Sequence, residues 1–117
     1  MHSRILLAFC VVAGLSCGGS DRASAPAQST ADVYTPGNIF SPPTAGPISV
    51  GGTVFFHITK AADGMGHNVL FRHSVAGAPA DIPVVADTVV SRQFNTRGTF
   101  AYDCLVHPGM TGEVVVQ

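Results

Sequence analysis

The stretch YDCLVHPGM, Tyr102–Met110, sets a cysteine, a histidine and a methionine at three-residue intervals: Cys104, His107 and Met110. Each of these side chains carries a donor atom that soft transition metals accept. The flanking segments GTFAYDC and GEVVVQ are short and β-rich, so the three donors fall in a loop between the last two strands of the chain. Whether they form one side of a metal site or merely share a tight turn depends on what the rest of the sequence supplies.

Working outward from that loop, no helical period is found from Val33 onward. What recurs is a series of short β-rich runs separated by Gly and Pro: PISV, a Gly51-Gly52 turn, TVFFHIT, HNVLFR, DTVVSRQF, GTFAYDC and GEVVVQ. Within TVFFHIT, Val54, Phe56 and Ile58 share one face, while Phe55 and His57 share the other. The 8 prolines and 13 glycines suit a chain made of turns and edges. The pattern predicts an all-β domain over 33–117, a Greek-key β-sandwich of about seven strands closed on one apolar core. Ser74–Ala86 shows no clear alternation and reads as an irregular crossing loop.

The other end of the chain is different in kind. MHSRILLAFCVVAGLSCGG begins with His2 and Arg4, runs apolar from Ile5 to Leu15, and ends on small residues. That run is too short to span a bilayer and reads as a secretory signal over 1–16. AGLSC resembles the lipobox of bacterial lipoproteins, in which the cysteine, here Cys17, is lipidated and becomes the new N-terminus. Gly14 stands where a larger apolar residue is usual, so simple cleavage is the alternative. Residues 17–32, small, polar and without periodicity, read as a flexible tether reaching roughly 20 Å on average. The expected location is therefore outside the cytoplasm, in the periplasm or at the outer surface, with a lipid anchor to a bacterial membrane.

Processing changes the cysteine count. Of Cys10, Cys17 and Cys104, the first lies in the signal and the second at its end. The exported domain keeps Cys104 with no evident disulfide partner in an oxidising compartment, and a metal supplies a reason for that. Charge excludes more than it assigns. Once the signal's arginine is removed, 5 basic residues face 7 acidic ones, with no basic stripe, so nucleic acid is not an expected partner.

Upstream, GMGHNVLF provides His67 at the start of a strand behind a Gly-rich loop. Two imidazoles and one thiolate in a near-trigonal arrangement, with a weak thioether on the axis, are the donor set of a blue copper site. Thiolate and thioether favour Cu(I), and imidazole satisfies both oxidation states. The metal would hold Cys104 as a thiolate.

These residues resemble the cupredoxins, in particular the plastocyanin, amicyanin and pseudoazurin branch, over roughly Val33–Gln117. His67-Asn68 matches the family's first histidine and its asparagine. Gly98, Thr99, Phe100, Tyr102, Cys104, His107, Pro108, Met110 and Gly112 match its ligand-loop motif. Phe40, Pro42 and Val50-Gly51-Gly52-Thr53-Val54 match an upstream motif. The absence of tryptophan and the Phe at position 100 depart from the pattern without touching the donors. The resemblance implies one copper ion, Cu(I)/Cu(II), held by His67, Cys104, His107 and Met110. It implies that Asn68 directs its backbone N–H at the cysteine sulfur and braces the ligand loop with its side chain. It further implies a monomeric one-electron carrier, not an enzyme, that docks transiently on redox proteins. The docking patch would surround His107 and include Met65, Pro108, Gly109 and Met110.

Plainer readings stand beside these. A lone cysteine often serves as a small buried hydrophobe, His67 and His107 can be polar strand-end residues, and Met110 can simply pack. His57 and His73 are expected off the site, on the solvent face and at the far end of the strand. Asp63, Asp81 and Asp87 read as solvated turn acids. Three rival functions remain. A copper storage or delivery protein would carry surplus Met and His. A copper reductase needs a second copper, for which no His-x-His pair is present. A metal-free sandwich serving as a binding module leaves the four donors a coincidence.

Overall fold

The computed structural model describes residues 25–117, and the signal segment with Cys17 lies outside them. Seven strands and no helix occur among the described residues: β1 Gln28–Tyr34, β2 Thr44–Ile58, β3 His67–Phe71, β4 Ile82–Val85, β5 Thr88–Phe94, β6 Gly98–Cys104 and β7 Met110–Val116.

The 15-residue β2 organises the fold. Its first part, Thr44–Ile48, runs parallel to β7, and from there the sheet continues through β6 and β3 to β4. Its second part, Gly52–Ile58, pairs with β5 antiparallel and, from Thr53, with β1 parallel. One strand therefore belongs to both layers of the sandwich, a corner made by bending rather than by a break. PISV and TVFFHIT are thus one strand, and Gly51-Gly52 is its bend rather than a turn between two strands. Gly51 sits at φ +85, where only glycine is unstrained, and a Cβ on Gly52 would lie 2.7 Å from the Ser49 carbonyl and 2.9 Å from that of Ser29.

Between the layers lies the core. Val54, Phe56 and Ile58 are buried from one side, and Phe100, Tyr102, Cys104, Val114 and Val116 from the other. The aromatic rings interlock edge to face: Phe56 on Tyr102 at 5.5 Å between centroids, Phe71 on Phe94 at 5.8 Å. Phe55 and His57 take the opposite face of β2, as alternation predicts. His57 is half-buried there, stacked on Tyr34 and bonded to Asp32 at 2.7 Å.

Two boundaries differ from the sequence reading. Residues 28–32, expected in the tether, belong to β1, whose backbone pairs with β2 although its side chains are mostly exposed. Ile82–Val85, expected within an irregular loop, form β4 and pair antiparallel with β3, His67 opposite Val85 and Val69 opposite Ile82.

Candidate metal centre

Three strand ends meet at one pole of the sandwich. Cys104 is the last residue of β6, and the β6–β7 hairpin sets it directly opposite Met110, the first residue of β7. His67 opens β3, which runs antiparallel to β6, so its start lies beside the end of β6. In β6 the inward positions are Phe100, Tyr102 and Cys104, so the cysteine follows from the same alternation that builds the core. Between Cys104 and Met110 the chain turns in five residues. Met110 N–H donates to the His107 carbonyl at 3.2 Å, and Gly109 takes φ +84.

The donors converge. Cys104 Sγ stands 3.8 Å from His67 Nδ1 and 3.9 Å from His107 Nδ1, and the two Nδ1 atoms are 3.0 Å apart. For bonds of about 2.0 Å to imidazole and about 2.3 Å to thiolate, typical of a zinc-sized first-row ion, donors at 120° stand about 3.7 Å (N to S) and about 3.5 Å (N to N) apart. The sulfur–nitrogen separations match that triangle, and the shorter nitrogen–nitrogen distance narrows one angle. All three residues are buried, as is Met110, so the group is preformed rather than assembled from mobile surface chains. It is the one cluster of metal-binding side chains among the described residues. Its chemistry, two imidazoles and a thiol with a thioether residue alongside, fits copper.

Each histidine is held in its own way. His67 is fully buried, and that burial, then the neighbouring His107, push its imidazole below its ordinary value. Its Nε2 is buried with no hydrogen-bond partner among the described residues. His107 is 6% exposed and has a partner. Its Nε2 lies 3.0 Å from Asp63 Oδ2. Asp63, read from sequence as a solvated turn acid, therefore touches the site. Its other oxygen, Oδ1, accepts the Met65 N–H at 2.8 Å. The Met65 amide first, and then the His107 imidazole, hold the Asp63 carboxyl below the usual carboxylate range. Nothing local in the sequence marks this contact, which spans 44 positions.

Asn68 sits next to the site on β3, 9% exposed, and its Oδ1 accepts the Leu105 N–H at 2.9 Å. The ligand loop is thereby tied to the neighbouring strand one residue after Cys104. Met65 is half-exposed, and Pro108 and Gly109 are exposed. Met110, expected among the surface residues, is buried at 2% exposure because it starts an inward-facing strand. Leu105, 70% exposed, is the apolar surface residue the sequence reading missed. His73 lies away from the cluster and faces Asp81 at 3.5 Å.

A β-sandwich with two histidines and a cysteine converging at its loop pole defines the class of mononuclear copper-binding sandwiches. The comparisons agree with the geometry. The chain is 35% identical to amicyanin-alpha of Methylorubrum extorquens, over 96% of this chain and 92% of that protein. A methionine-to-alanine variant of amicyanin in its Cu(I) form superposes with a TM-score of 0.63 at 32% identity, covering 80% of this chain and 87% of that one. A copper-containing nitrite reductase from Thermus scotoductus also matches, TM-score 0.63 and 26% identity, but the chain spans only 22% of that enzyme's length. A purple cupredoxin from Nitrosopumilus maritimus shares the fold, with a TM-score of 0.60 at 24% identity over 74% of this chain and 99% of that one. No protein-family model matches the chain. The chain belongs to the cupredoxin family.

Proposed function

We propose that the protein is a blue copper one-electron carrier whose single copper ion is held by His67 Nδ1, Cys104 Sγ and His107 Nδ1, with the Met110 thioether as a weak axial donor. The observation that carries this reading is the convergence of two buried Nδ1 atoms and one buried Sγ, all within 4.8 Å of one another, at the end of a packed sandwich. Copper in such a donor set supplies one-electron chemistry, cycling between Cu(I) and Cu(II).

The residues of the chain do the rest. His67, Cys104 and Met110 are fixed by the strands they begin or end, so the donor positions change little between oxidation states. Asn68 holds the ligand loop against β3. Val69, Phe71 and Tyr102, on the same strands as His67 and Cys104, are buried in the core that continues inward from the centre. His107 is the donor nearest the surface, and Met65, Leu105, Pro108 and Gly109 lie exposed around that pole. A small apolar patch favours brief docking of redox proteins, as electron exchange requires.

The test is the visible spectrum on adding Cu(II). One equivalent should give an intense thiolate-to-copper band that is absent in Cys104→Ser. Full copper occupancy without colour would remove the blue-copper reading.

Export and membrane attachment through Cys17 belong to the same proposal, supported by the lipobox-like AGLSC. With β1 starting at Gln28, the tether would be residues 17–27. Stable anchoring needs more than one acyl chain. Mass spectrometry of the membrane-bound protein should therefore find a multiply acylated N-terminal Cys17, and an unmodified N-terminus would make the protein a free carrier.

A further inference from the structure

We propose that Asp63 is the positioning residue for His107, its Oδ2 accepting the Nε2–H so that the ring is held at one angle with the Nδ1 lone pair aimed at His67 and Cys104. The inference rests on the metal-centre reading above and deepens it. His67 needs no such partner, since it opens a strand and is fully buried. His107 lies in the turn between β6 and β7, outside any strand, and its ring orientation would otherwise depend on packing alone.

Asp63, its side chain 52% exposed, is held by its own loop. Its loop closes on itself through Ala61 N–H to the Met65 carbonyl and Gly64 N–H to the Ala61 carbonyl, both at 2.9 Å. Gly64 takes φ +82 in that turn. One carboxylate oxygen secures the Met65 N–H at 2.8 Å and the other meets His107 Nε2 at 3.0 Å. The two oxygens thus have separate tasks, one local and one directed at the site.

The protons of the cluster follow. An ionised carboxylate only accepts, so His107 carries its proton on Nε2 and leaves Nδ1 bare. A carboxylate behind a metal-binding imidazole fixes the ring's tautomer and orientation. Its negative charge favours the more positive oxidation state, so Asp63 lowers the reduction potential.

Asp63→Asn separates the two tasks. The amide oxygen preserves the turn to Met65. The amide nitrogen facing His107 Nε2 is a donor, which draws the imidazole proton to Nδ1, where the metal must bind. Three readouts apply to the full chain: long-range ¹⁵N–¹H spectra of His107 in the metal-free protein, Cu(I) affinity by competition with a chromophoric chelator, and the reduction potential. The native protein should show Nε2–H. Asp63→Asn should show Nδ1–H, bind Cu(I) about 10- to 100-fold more weakly, and have a raised potential. Asp63→Glu, whose carboxylate can still reach, should recover most of the affinity. Asp63→Ala, which loses the turn bond as well, should lose affinity without acquiring the Nδ1–H form. Native affinity, tautomer and potential in Asp63→Asn would overturn the proposal while leaving the copper centre standing. A native chain that takes up no copper, yet shows an Asp63-dependent tautomer, would remove the metal reading and this role with it.

Discussion

Replacing Asn68 by alanine separates a bond that merely stabilises the fold from one that shapes the metal centre. The Asn68 Oδ1 to Leu105 N–H bond is 2.9 Å long and joins residues 37 apart in sequence. Leu105 is 70% exposed, so water partly replaces the lost acceptor. Losing this part-buried bond costs about 0.5–1.5 kcal/mol, and that loss should appear with or without metal. A second loss should appear only with metal. Leu105 follows Cys104 directly, and freeing the loop there lets the sulfur and His107 leave their shared geometry. Partners of this kind are worth about 10- to 100-fold in metal affinity, or about 1.4–2.7 kcal/mol.

Because ligand binding stabilises the native state by its own free energy, the copper-loaded protein should be destabilised more than the metal-free one by that second amount. In a domain of this size, 1 kcal/mol moves Tm by about 4–8 °C. The increase in Tm on copper loading should therefore shrink by about 6–22 °C in Asn68→Ala relative to the native protein. Calorimetry of both forms, with chelator competition for the affinity, measures the two losses independently. Equal shifts in the two forms, with an affinity within twofold of native, would refute the claim that Asn68 acts on the metal centre.

Three further outcomes follow from the core and the surface. Tyr102 is fully buried and its hydroxyl has no partner among the described residues. Tyr102→Phe should therefore raise stability by roughly 1 kcal/mol, measured by denaturant melts. Burial, with a smaller contribution from Glu113, raises the Tyr102 pKa well above its ordinary 10.0. The unfolded chain ionises first, so this contribution is complete below about pH 10 and is lost as pH rises toward the folded value. Tyr102→Phe should flatten that alkaline limb. Gly112→Ala should cost about 1–3 kcal/mol, because its Cβ would fall 2.6 Å from the Tyr102 ring, itself caged by Phe40, Phe56 and Phe71. Asp103, held below the carboxylate range chiefly by its bond to Arg72, should lose its contribution as pH falls through that lowered value. Because Arg72 is more than half exposed, Asp103→Asn should cost under about 1 kcal/mol by the same melts.

The parts of the fold legible in the sequence were those whose side chains alternate against the core. The second half of β2 buries Val54, Phe56 and Ile58 at every other position, and β6 does the same with Phe100, Tyr102 and Cys104. The donor set was legible because three of its members share one short loop and their chemistry is rare in that combination. What escaped was held by backbone rather than by side chains. β1 is largely exposed and contributes Val33 to the core, while its pairing with β2 is made of main-chain bonds that composition does not reveal. β4 is four residues long, contains Pro83 and buries only Ile82, so it leaves no alternation to read. Gly51-Gly52 has the composition of a turn, and only the pairing of β2 on both sides of it distinguishes a bend within one strand. The Asp63–His107 contact joins two loops, where no periodicity applies and register alone decides which residues meet.

One strand that leaves no pattern in the sequence bears directly on the site. β4 pairs with β3 opposite His67, and Gly66 approaches the β4 backbone so closely that a Cβ there would lie 2.2 Å from the Val85 carbonyl oxygen. The strand without a pattern therefore fixes the start of β3, and with it the first histidine. Cys104 and Met110 are paired across the β6–β7 hairpin and share the rigidity of the core they complete. His107 alone belongs to no strand. A donor between strands can be held only by contacts from outside its own element, and the chain provides three: the Met110 N–H of β7 bonds the His107 carbonyl, Asn68 on β3 holds the residue after Cys104, and Asp63 holds the far nitrogen of the ring. Where a strand supplies the constraint, burial and register suffice. Where it does not, a hydrogen bond from a closed loop takes its place, and the ring it holds is also the donor nearest the surface.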